Sequence, residues 1–176
     1  MSGHNKWSQI KQKKGATDAK RSKLFSMLVR AISIEAKRAK GDLSDPGLKG
    51  VISRAKDANM PADNITRAVE KASGAGAESY EELVYEAYGP GGVAIIIEAL
   101  TDNKNRTTPE IKHLLSEFGL SLEASGSALW AFAKEAGQLK AQTLVPLSPE
   151  DQIKLAEIIE KLEDHDDVKN IITNVE

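Results

Sequence analysis

The sequence contains no cysteine, which removes disulfides, thiol nucleophiles and zinc-thiolate sites from consideration. A reducing cytoplasm is the expected compartment for such a chain. Aromatic residues make up only 5% of it, so any core must be built mainly from aliphatic side chains. No apolar run reaches the length of a membrane span, and the first residues are polar and basic, without the apolar stretch of a secretory signal. Histidine is scarce too: His4, His113 and His165 lie far apart, and none sits in a pairing that seats a metal. Asp102-Asn103-Lys104-Asn105 lacks the glycine and closing glutamate of a calcium loop. The acidic run Glu163-Asp164-His165-Asp166-Asp167 reads as a solvated helix end. Gly89-Pro90-Gly91-Gly92 lacks the Lys-Ser/Thr of a phosphate-binding loop and precedes a strand, so it reads as a structural turn. No nucleophile has a base beside it in any motif. The chain is therefore not expected to be an enzyme, nor to require a metal or an organic cofactor.

What the sequence does have is positive charge, concentrated at one end. Within the first 25 residues Lys6, Lys11, Lys13, Lys14, Lys20, Arg21 and Lys23 face the single carboxylate of Asp18, with Trp7 and Phe25 among them. Cations displace counterions from a phosphate backbone, and flat rings can stack on bases. The excess continues along a helix-forming stretch in which Lys23, Arg30 and Lys37 recur every seven residues, joined by Lys40. A solvated face is the plainer reading of such a stripe, and Trp7 could equally be a packing residue. The whole-chain charge of −2 hides a division: residues 1–72 carry 16 Lys and Arg against 7 Asp and Glu, a net of +9, and the remainder carries −11. This asymmetry predicts that the first part meets a polyanion, with Lys6, Trp7, Lys11, Lys13, Lys14, Lys20, Arg21, Lys23, Arg30 and Lys37 as candidate contacts.

Hydrophobic periodicity supplies the architecture. Leu24, Phe25, Leu28, Val29, Ile32 and Ala36 predict an amphipathic helix ending near Gly41, and Asp45-Pro46 predicts the start of a second, with Leu48, Val51, Ile52 and Ala55 inward. Ile65, Ala68, Val69 and Ala72 predict a third, on which Asp63 and Arg67 could pair. Small residues at Ser73-Gly74-Ala75-Gly76-Ala77 mark a boundary between a basic three-helix domain, residues 1–75, and an acidic domain, residues 76–176. In the latter, residues 80–88 and 93–100 read as strands, the second buried on both faces. A helix follows, with Thr107, Thr108 and Pro109 in its first turn. Residues 128–133 then read as a strand with Trp130 and Phe132 on one face, and residues 139–147 as another. Ser148-Pro149 opens the last helix and residues 168–175 form a final strand. The expected fold class is α+β: three helices, then a ferredoxin-like split βαβ domain with one extra leading strand.

Three ordered motifs resemble the YebC family of gene-expression regulators: Gly3-His4-Asn5-Lys6-Trp7 through Leu24-Phe25; Asn59-Met60-Pro61 with Ile65 and Arg67-Ala68; and Tyr85-Glu86-Ala87-Tyr88-Gly89-Pro90-Gly91-Gly92 through Thr101-Asp102-Asn103-Lys104-Asn105-Arg106-Thr107. The resemblance implies a DNA-binding transcriptional regulator or a translation factor acting on the ribosome, a role that in the family includes mitochondrial activators of cytochrome oxidase synthesis. It also implies a departure. Members usually carry a further domain inserted before the segment that here reads Leu144-Val145-Pro146-Leu147-Ser148, whereas this chain passes to it almost directly from Lys134-Glu135-Ala136-Gly137. The partner expected is thus nucleic acid, DNA or ribosomal RNA, with a protein partner for the acidic domain as the competing reading. Recognition of RNA by the sheet is disfavoured, because no RNP1 pattern surrounds Trp130 and Phe132. Oligomeric state is left open.

Overall fold

The computed structural model describes residues 18–74 and 79–176. Among these are five α-helices: α1 Asp18–Arg38, α2 Pro46–Asp57, α3 Ala62–Ser73, α4 Lys104–Glu117 and α5 Pro149–Asp164. The strands are β1 Glu81–Tyr88, β2 Ala94–Thr101, β3 Phe132–Glu135, β4 Gln138–Ala141 and β5 Val168–Thr173. The fold class is α+β. The chain divides into two compact units, one comprising Ala16–Glu82 with Leu100–Lys104, the other Leu83–Ala99 with Asn105–Glu176. Of the residues expected to hold a boundary, 75–77 lie outside the described residues.

In the helical unit α2 and α3 both pack on α1. The inward stripe of α1, Leu28, Ile32 and Ala36, meets Leu48, Val51 and Ala55 of α2 and Ile65, Ala68, Val69 and Ala72 of α3 in one core. None of these helices is long enough to be stable alone in water, so the shared core is what holds them helical. Their ends follow from local chemistry. The Asp45 carboxylate accepts from Gly47 N–H (2.9 Å) and Leu48 N–H (3.1 Å), capping α2 in front of Pro46. The Leu48 bond and the charge of Arg38 hold that carboxyl below the ordinary range. At the end of α1 Lys40 (φ 52°) and Gly41 (φ 80°) are both left-handed, with Gly41 N–H closing onto Ala36 C=O at 2.8 Å. Arg67 does not pair with the Asp63 carboxylate; its Nε donates to the Asp63 carbonyl (3.2 Å) and its Nη2 to Asn64 Oδ1 (2.7 Å).

In the second unit the sheet order is β1-β2-β5, with β5 antiparallel to β2 and Ile96 opposite Ile172. Along β2, Ile95 and Ile97 point into a core with Ile111, Leu115, Leu155, Ile158 and Leu162 of α4 and α5. Ala94 and Ile96 point the other way, onto Ala128, Ala131 and Phe132. This two-sided burial is what its apolar run, interrupted by Glu98, predicts. The pairing departs from the expected split βαβ sheet, in which β4 would lie beside β2. Here the leading strand β1 takes that place, and among the described residues β3 and β4 pair only with each other. β4 ends at Ala141, one further bond from Gln142 N–H to the opposed Ala131 C=O (2.8 Å) continues the β3–β4 register, and Val145 forms a parallel bridge to Val175. The expected strand over 139–147 is thus cut short.

Two other expectations are corrected. Leu129–Ala131 form a 3-10 turn and β3 starts only at Phe132, leaving Trp130 61% exposed while Phe132 is buried. The backbone donors that a strand would pair are taken by a carboxylate, as described below. Helix α4 begins at Lys104, where Thr101 Oγ1 accepts from Asn103 N–H (2.9 Å), so Pro109 lies inside the helix and not in its first turn. The turn joining β3 to β4 consists of Ala136 (φ 48°) and Gly137 (φ 82°), both left-handed as a two-residue hairpin requires. Between Lys134 and Leu144, where the family resemblance implies an inserted domain, the chain makes this hairpin.

Candidate nucleic-acid interface

The candidate contact residues fall into three groups. Lys6, Trp7, Lys11, Lys13 and Lys14 lie outside the described residues. Lys20 and Arg21 stand exposed on the first turn of α1, the Arg21 guanidinium 5.3 Å from the centre of the Phe25 ring. That distance suits a cation–π contact. The spacing of seven brings Lys23, Arg30 and Lys37 to one side of α1, opposite the Ile32 stripe. Their surroundings differ. Lys37 is exposed, Lys23 half-buried, and Arg30 is half-buried with its Nη1 donating to the Leu100 carbonyl (2.8 Å) and its guanidinium 5.8 Å from the Tyr80 ring. Arg30 therefore has a structural task at the middle of the stripe, which periodicity cannot reveal because the Leu100 carbonyl lies 70 residues away.

Sequence reasoning passed over the cations of the other two helices. Lys49, Arg54 and Lys56 of α2 and Arg67 and Lys71 of α3 are exposed. They were already part of the +9 balance of residues 1–72, but the one i, i+7 pair among them, Lys49 and Lys56, is too short a row to stand out as a stripe. At the end of α1, Arg38 bridges Glu35 (2.8 Å) and Asp45 (2.5 Å), which commits it to the α1–α2 connection.

The acidic unit holds two buried carboxylates. Glu86, 2% exposed, accepts from the backbone N–H groups of Gly126 (2.6 Å), Ala128 (2.7 Å) and Leu129 (2.9 Å). Burial pushes its pKa up, but the three donors together outweigh that, and the carboxyl titrates below its ordinary range. Beside it Tyr88 Oη accepts from Trp130 Nε1 (2.9 Å) and donates to the Ser127 carbonyl, which fixes the exposed indole. The second carboxylate, Asp167, accepts from Thr107 Oγ1 (2.6 Å) and Arg106 Nη2 (2.9 Å). Folding also brings His165 to Glu110 (3.1 Å), so Glu110, His165 and Asp167 gather within 4.8 Å although the histidines are isolated in sequence. The charge balancing this group is the Arg106 guanidinium. Among the described residues no helix is long and apolar enough to cross a membrane.

These features define an α+β protein made of a basic helical part and an acidic sheet part. The chain belongs to the TACO1/YebC family. Residues 5–75 match the TACO1/YebC protein N-terminal domain and residues 80–140 the TACO1/YebC second and third domain. A "Probable transcriptional regulatory protein" of Syntrophus aciditrophicus is 42% identical over 177 residues, taking in 99% of this chain and 71% of the relative. One of the same name from Fervidobacterium nodosum is 51% identical over 137 residues, 77% of this chain. The match spans only 54% of that relative's length. Among solved structures, a conserved hypothetical protein of Aquifex aeolicus superimposes with a TM-score of 0.83 at 30% identity, covering 93% of each chain.

Proposed function

We propose that this protein is a non-enzymatic, nucleic-acid-binding regulator of gene expression acting in the cytoplasm. Residues 1–75 grip phosphate, and the acidic residues 76–176 contact a protein partner or orient the first part. The observation that carries this reading is the segregation of charge, +9 against −11, with Lys20, Arg21, Lys37, Lys49 and Arg54 exposed on one small helical unit. Relatives bearing the name of transcriptional regulators favour DNA as the polymer. Ribosomal RNA is the second reading, favoured by Trp7 among the lysines, since unpaired bases reward an aromatic platform that duplex DNA does not.

One experiment tests both. Affinities of the full chain are measured for duplex DNA and for a structured RNA. Replacing Lys20, Arg21, Lys23 and Lys37 together by Gln should lower both by at least about tenfold, since each lost phosphate contact forfeits counterion release. Trp7→Ala should cost about 1–3 kcal/mol on the RNA and leave duplex affinity nearly unchanged. Unaltered binding by the fourfold variant would contradict the assignment. Equal losses from Trp7→Ala on both polymers would remove the argument for RNA.

A further inference from the structure

Resting on the reading that the basic helical unit binds nucleic acid, we propose that α2, the turn at residues 58–61 and α3 form a helix-turn-helix, with α3 reading base edges in the major groove of duplex DNA. The turn is built for this. Asn59 adopts a left-handed conformation (φ 60°), its N–H donates to Lys56 C=O (2.8 Å), and Met60 N–H donates to Ala55 C=O (2.9 Å). These are the two bonds of a Schellman cap, which ends α2 sharply and sends the chain off in a new direction. Pro61 then precedes α3, so four residues separate the helices, the turn length of a helix-turn-helix. Met60 is 5% exposed and anchors the turn in the core, and Ala55 beneath it is fully buried. A larger side chain at Ala55 would push the helices apart. Ile65 and Ala68 seat the inner side of α3, and both helices pack on α1 as on a common support.

The outer side of α3 points to the ligand. Asp63, Thr66, Arg67 and Glu70 are exposed and follow one another at i, i+3, i+4 and i+7, forming one face. These residue types discriminate base pairs: an arginine fork matches guanine O6 and N7, a carboxylate accepts from cytosine N4, and threonine supplies a hydroxyl and a methyl. Arg67 is already oriented, its bonds to the Asp63 carbonyl and Asn64 Oδ1 drawing the guanidinium toward the N-terminal turn of α3. That is the end a recognition helix presents to the bases. Two carboxylates on this face disfavour indiscriminate phosphate contact, so backbone grip falls to cations elsewhere in the unit, among them Lys49 and Arg54 of α2 and Lys20 and Arg21 of α1.

The test is selection of a randomised duplex library by the full chain, followed by affinity measurements on the enriched duplex and on an unrelated one of equal length. A sequence motif is expected. Arg67→Ala should weaken binding to that motif about ten- to hundredfold and relax preference at one or two base pairs, with less than about threefold change on the unrelated duplex. Arg67→Lys should restore only part, since an ammonium lacks the planar fork. The hydrogen bonds of Arg67 lie within α3, so the variant should keep the native circular dichroism. Thr66→Ala is a second probe of the same face and should alter preference at a neighbouring pair. A motif that survives both substitutions unchanged overturns the assignment. Duplex binding with no enriched motif also overturns it while leaving the nucleic-acid reading intact. RNA binding without duplex binding does the same, and binding to neither polymer removes the underlying reading as well.

Discussion

Glu86→Ala is expected to destabilise the acidic unit by about 2–4 kcal/mol, because a buried N–H left without an acceptor, here that of Ala128, costs roughly 1–3 kcal/mol and the part-buried donors of Gly126 and Leu129 add less each. The carboxylate is the common acceptor for Gly126, Ala128 and Leu129, and its loss would strand all three donors beneath the 3-10 turn that carries Trp130. Glu86→Gln should fall between wild type and alanine. It retains one acceptor oxygen but turns an NH2 group toward donors that need an acceptor. Urea denaturation followed by circular dichroism reads both variants, and a loss below about 1 kcal/mol for Glu86→Ala would mean that water replaces the carboxylate at little cost. The same site gives a pH dependence of known sign. Its folded pKa is depressed below the unfolded value of about 4.3, so its stabilisation is complete at neutral pH and is lost as pH falls through the folded pKa. Glu86→Ala should therefore lack the part of the acid-induced loss of stability that wild type shows below about pH 4.

Affinity for a nucleic-acid duplex is expected to collapse with salt. If about five phosphates are neutralised, log K should fall against log salt with a slope near −4 to −5, which is a loss of several hundredfold between about 50 and 200 mM. The protein's net charge of −2 would by itself predict weak repulsion from a polyanion. A steep negative slope thus tests whether the local +9, and not the average, governs binding. A flat salt dependence would show that phosphate contacts do not supply the affinity.

The parts of this fold that were legible in the sequence are those fixed by neighbours along the chain. Asp45-Pro46 and Ser148-Pro149 announced helix starts, and in the structure both side chains cap the N–H groups they precede. The apolar run of β2 announced a strand buried on both faces. What was hidden depends on partners far away. The alternation of Trp130 and Phe132 suggested a strand, but Glu86, more than 40 residues earlier, takes the donors at Ala128 and Leu129 and bends that segment into a turn. Whether β1 or β4 would lie beside β2 is a choice between segments distant in the chain, which local spacing does not record. At the candidate interface the same division holds. The cationic stripe of α1 could be read from spacing, whereas the burial of Arg30 against the Leu100 carbonyl could not. The outer face of α3 escaped notice because its residues are of mixed charge and leave no mark in a charge count.

The central claim is that the first part of this chain holds nucleic acid. Ultraviolet crosslinking of the full chain in growing cells, with the bound polymer sequenced and the crosslinked peptides mapped, tests it most directly. The expected result is recovered nucleic acid attached through residues 1–75, among them the Lys20–Lys23 segment at the start of α1. Recovery of no nucleic acid, or attachment confined to residues 79–176, would contradict it.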